Sequence, residues 1–122
     1  FLFLTILLGG ITMFLTSCSK DEDTSGSVLF WYGESTSDFL INDDAQTLTY
    51  YVDDEIVGSS ATSVFWTGAP DCGQNGSITV TKNLGGDASK VYSYSVIDQT
   101  GFEYYSGTVA FTDGDCIAYE LD

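Results

Sequence analysis

The segment KVYSYSVI, Lys90 to Ile97, sets Tyr92, Tyr94 and Val96 at alternate positions with serines between them. Side chains two residues apart share one face of a strand, so this stretch reads as a β-strand with a single apolar face. The same period recurs on both sides. Leu48, Tyr50 and Val52 alternate with Thr47, Thr49 and Tyr51, and Ile78 and Val80 alternate with threonines in Ser77–Lys82. Further strands are expected at Ser27–Tyr32, around Ile56 and Val57 after an Asp53-Asp54 turn, at Val64-Phe65-Trp66, at Tyr104–Thr112 and at Cys116–Leu121. Gly, Asn and Asp punctuate the gaps, and no window carries helical spacing, so helices should be nearly absent. This spacing predicts an all-β fold, a small antiparallel β-sandwich of about seven to eight strands.

The charge is one-sided. The 122 residues hold 18 Asp+Glu, 3 Lys+Arg and no histidine, for a net charge of −15. The basic residues are Lys20, Lys82 and Lys90, with no arginine. Nucleic-acid affinity comes largely from Lys and Arg on phosphates, so this composition excludes a nucleic-acid partner. Without histidine, no Ser-His-Asp or Cys-His pair and no His-containing zinc site can form. Acid–base chemistry is left to carboxylates, tyrosines and two lysines.

Phe1 to Leu15 (FLFLTILLGGITMFL) is uncharged and apolar, and dense charge follows at Lys20-Asp21-Glu22-Asp23. A bilayer-spanning helix needs about 20 apolar residues, whereas a core of about 10–15 suits a signal peptide. A basic segment normally precedes such a core, so a few residues are expected ahead of Phe1. Leu15-Thr16-Ser17-Cys18 resembles the lipobox of bacterial lipoproteins. That resemblance implies cleavage before Cys18, a diacylglycerol on its thiol and usually a further acyl chain such as palmitate on the new amino group. Two or more chains anchor firmly where one does not. The competing reading is a free or disulfide-bonded Cys18. Residues 1–17 are thus expected to be signal, 18–26 a lipidated cysteine with a flexible acidic tether, and 27–122 the domain. The cluster Lys20, Asp21, Glu22 and Asp23 resembles the export signal of Bacteroidota lipoproteins, which implies the outer membrane and the cell exterior. The plainer alternative is a solvated spacer.

Val52-Asp53-Asp54-Glu55-Ile56-Val57-Gly58 resembles the strand–turn–strand of PEGA-type and transthyretin-like envelope modules, with Asp54 at the usual glycine. The run from Tyr94 to Val109 is similar to small Bacteroidota lipoproteins. These resemblances imply a sandwich and no activity.

Of the cysteines, Cys72 and Cys116 remain for a disulfide, which an exported compartment permits. The acidic clusters Asp43-Asp44, Asp53-Asp54-Glu55 and Asp113-Gly114-Asp115 offer oxygens of the kind calcium takes, but none has EF-hand spacing and turns favour Asp anyway. No metal or cofactor is expected. Adjacent aromatics on a strand point to opposite faces, so one ring of each pair should be exposed. Trp31, Tyr51, Trp66 and Tyr105 are the candidate ligand-facing rings, and covering the sheet or a protein partner is their ordinary role. The expected function is a non-catalytic binding or structural module of the envelope, with a protein or glycan partner. A glycan-binding accessory of polysaccharide uptake and a small carboxylate-dependent hydrolase are the alternatives. Hydrolysis needs two carboxyls facing across a cleft.

Overall fold

The computed structural model describes residues 23–122. Among them run seven strands and one helix: β1 Ser25–Trp31, α1 Glu34–Asn42, β2 Thr47–Val52, β3 Glu55–Ala61, β4 Ile78–Asn83, β5 Ser89–Asp98, β6 Glu103–Thr112 and β7 Cys116–Glu120. They form a three-stranded sheet, β4-β1-β7, and a four-stranded sheet, β3-β2-β5-β6. The all-β sandwich expected from the alternation is therefore what the chain builds. Cys18, Lys20, Asp21 and Glu22 lie outside the described residues, while Asp23 is exposed just ahead of β1.

The alternating stretches carry the core. In β5, Tyr94, Val96 and Asp98 are buried with Tyr92 half-buried, and in β2 the buried set is Leu48, Tyr50 and Val52. From the facing sheet come Val28, Phe30 and Val80. The Phe30 ring stands 6.0 Å from Tyr50 and 5.3 Å from Tyr94, joining the two layers. Asp53 and Asp54 both adopt left-handed backbone, φ 54° and 63°. Positive φ at both central residues is what a two-residue hairpin with the right strand twist requires, and Val52 pairs with Glu55 across it. At Gly26 a Cβ atom would stand 2.5 Å from the Thr112 carbonyl oxygen, so glycine lets β1 cross closely over β6.

Four expectations are corrected. β1 starts at Ser25, pairing Ser25 with Asn83 and Gly26 with Lys82, so these two residues belong to the sheet rather than to a tether ending at 26. β7 runs parallel to β1, Ser27 opposite Cys116 and Trp31 opposite Glu120, so the sandwich is not wholly antiparallel. After β6 the chain crosses to the other sheet instead of folding back as a hairpin, and alternation cannot distinguish the two. Val64-Phe65-Trp66 is not a strand. The Val64 amide donates to the Ala61 carbonyl in a local turn, the Trp66 amide donates to the distant Tyr32 carbonyl, and Val64 and Phe65 are exposed.

The fourth correction is α1, nine residues where no helix was expected. Its buried side is Thr36, Ser37 and Leu40, and two of these are hydroxyl residues. Ser37 Oγ donates to the Thr62 carbonyl at 2.6 Å and Thr36 Oγ1 to that of Leu121 at 3.3 Å. A helix docked through hydroxyls has no apolar stripe for a periodicity reading to find.

The Cys72–Cys116 disulfide is formed, with Cα atoms 6.4 Å apart. It ties the first residue of β7 to the loop before β4. All five residues of that edge strand are exposed, so the bridge at its start matters. At its far end Leu121 is buried, and its amide donates to the Trp31 carbonyl at 2.8 Å.

Candidate functional site

One end of the sandwich opens into a groove of about 660 Å³ between α1 and the β5–β6 hairpin. Its size is that of a small-molecule site, roughly 300–1,000 Å³. One wall is Phe39 of α1 and Asp43 just past its C-terminus, with Ser35 and Thr36 also in the lining. The other is Phe102, Glu103, Tyr104 and Tyr105 from the start of β6, and Asp122 stands at the end.

Both walls are held by polar tethers. Asp98 closes the β5–β6 turn: its Oδ1 accepts from the Thr100 amide (2.8 Å), the Thr100 hydroxyl (2.7 Å) and the Phe102 amide (3.0 Å). The Thr100 hydroxyl, aided by the backbone amides of Thr100, Phe102 and Gly101, holds this carboxyl below its usual range. Gly101, at φ 90°, supplies the left-handed turn residue. Gln99 then clips the hairpin to the α1–β2 connection, accepting from the Gln46 amide at 2.9 Å and donating to the Asp44 carbonyl at 3.0 Å. Across the groove the Tyr104 hydroxyl donates to Asp43 Oδ2 at 2.6 Å. That bond, reinforced by desolvation, pushes the phenol up to about 12.

The rings form an exposed aromatic cluster. Phe39 and Phe102 each meet Tyr104 edge-to-face, with centroids 6.2 Å and 4.9 Å away. Phe39 is 55% and Phe102 58% exposed. Ring pairs of this geometry attract each other beyond their burial, yet most of both phenylalanines faces water.

The four rings named from the sequence do not gather there. Trp31 and Trp66 are half-buried beside Tyr32 and Ile78, around a space of about 10 Å³, close to one water-sized void. Tyr51 lies on the outer face of the four-stranded sheet, beside Ser95, Ser106 and Asp54. Tyr105 pairs with Val96, in line with Tyr50, and so faces inward, although it reaches the groove. A register shift between Val96 and Ile97 breaks the strict alternation of β6, leaving Tyr104 and Tyr105 both half-buried. Phe39, Phe102, Tyr104, Glu103 and Asp122 were not singled out as a site from the sequence, and Asp43 only as part of an acidic cluster. The available signal was Phe102-Glu103-Tyr104-Tyr105, with three rings directly after a turn. Of the acidic clusters, Asp43 alone faces the groove, while Asp44, Asp53 and Asp54 occupy left-handed turn positions.

The fold and groove thus define a small β-sandwich with an open aromatic cleft at one end. Comparison with known proteins finds no matching family model, no matching curated protein and no matching solved structure.

Proposed function

We propose that this chain is a cell-envelope lipoprotein, anchored in the outer membrane by lipid on Cys18 and facing the exterior, whose sandwich binds a glycan without catalysis. The anchor is supported by the apolar run before Leu15-Thr16-Ser17-Cys18 and the acidic cluster behind it. The observation that carries the binding reading is the exposed Phe39–Tyr104–Phe102 cluster inside an open groove rimmed by carboxylates. A sugar presents apolar C–H faces ringed by hydroxyls, which suits aromatic walls with acceptor oxygens at the rim. Binding of this kind needs no titrating pair.

Labelled palmitate tests the anchor: the parent chain should incorporate it and Cys18→Ala should not. A glycan array probed with the purified full chain tests the site. Retention of an intact glycan, lost in Phe102→Ala, is the expected result. Release of cleaved sugar would favour the hydrolase reading, and retention indifferent to Phe102 would move the site elsewhere.

A further inference from the structure

The charge of the groove narrows the ligand. Asp43, Glu103 and Asp122 all stand in its lining. Among the described residues the two lysines are engaged elsewhere. Lys82 Nζ lies 3.8 Å from Glu55 and 5.1 Å from the centre of the Tyr92 ring, and Lys90 Nζ lies 3.9 Å from Asp87. No described cationic side chain therefore balances the three carboxylates. The Tyr104 phenol is neutral at neutral pH and adds no charge, and it donates to Asp43. Ring faces carry negative potential and attract cations, most strongly where water is partly displaced. Aromatic faces and carboxylates here favour the same sign. A uronic acid, sulfated or phosphorylated sugar would meet only repulsion.

We infer that the groove takes a cationic sugar, a glycan unit bearing a free ammonium group, with its ring on the Phe39, Phe102 and Tyr104 side chains and its ammonium paired with one carboxylate of the lining, Asp43, Glu103 or Asp122. This rests on the proposal that the groove binds glycan, and it specifies the charge of that glycan. No metal is needed to bridge sugar and protein, because the ammonium itself supplies the positive partner.

Calorimetric titration of the full chain at low salt, with three probes, tests it. A glucosamine oligosaccharide carries both ring and charge, its N-acetylated counterpart carries the ring alone, and tetramethylammonium carries the charge alone. The glucosamine oligomer should bind about tenfold or more tighter than either. That preference should shrink as salt is raised. Glu103→Gln with Asp122→Asn, both exposed positions, should reduce the preference while keeping the parent melting temperature. Equal or tighter binding of the N-acetylated oligomer overturns the cationic assignment and leaves the glycan reading standing. Tetramethylammonium binding as tightly as the glucosamine oligomer overturns the role of the sugar ring. If no probe binds, the inference is wrong, and an array that also retains nothing removes the glycan reading with it.

Discussion

The middle of the sandwich and its grooved end are held together by different physics. In the middle, Leu48, Tyr50, Val52 and Val96 are shut between two sheets with at most 2% exposure. At the grooved end, α1 docks through Leu40 and the Ser37 and Thr36 hydroxyls, and the facing hairpin is set by Asp98 and Gln99. Burial alone fixes the first region, whereas the second adds directional bonds to the single buried anchor Leu40 and leaves its rings in water. Stability and binding should therefore respond to different substitutions.

The largest expected effect tests whether burial alone holds the sandwich. The disulfide closes a sequence separation of 44 residues, and loop-closure entropy alone makes that worth about 4 kcal/mol. Cys72→Ser with Cys116→Ser should lower Tm by about 10 °C or more. The edge strand β7, with no buried residue, should lose amide protection before β2 and β5 do. Two titratable thiols from Cys72 and Cys116 in the unreduced, unfolded parent chain would show that the bridge does not form.

Next comes the core itself. Leu48 is fully buried, so Leu48→Ala should cost about 3 kcal/mol in denaturant unfolding. Binding to the groove, measured well below Tm, should change little. A comparable loss of affinity would mean that the two regions are not separable.

The smallest effect belongs to the hairpin tether. Asp98 has a depressed carboxyl pKa in the folded protein. Its charge therefore contributes stability above the unfolded value of about 3.9, and that contribution disappears as pH falls through the folded value. The stability gap between the parent and Asp98→Asn should be full near neutral pH and close as the pH drops below about 4. Glycan affinity of the variant should fall more than its stability, because Phe102 and Tyr104 lose their positioning turn. A gap constant down to pH 2 would contradict this role for the charge.

The same division explains how much could be read in advance. The strands at 47–52 and 90–97 announce themselves because one face is apolar and the other is not. The Asp53-Asp54 turn was legible for the same local reason. α1 was not, since its buried face is Thr36, Ser37 and Leu40, and hydrogen bonds to distant carbonyls replace an apolar stripe. The parallel placement of β7 depends on which sheet receives the strand, a choice made by packing. The groove escaped because Phe39 and Phe102 come from segments 63 residues apart in sequence. Counting adjacent rings led instead to Trp31, Tyr51, Trp66 and Tyr105, which the fold distributes over different surfaces.

Hydrogen exchange of the full chain, with and without the glycan best retained on the array, tests the assignment of the groove most directly. Exchange should slow together in two segments, 39–45 and 98–105, which meet only in the folded groove. The central strand 47–52 should be unaffected. Slowing confined to the surroundings of Trp31 and Trp66, with 39–45 and 98–105 unchanged, would contradict the assignment.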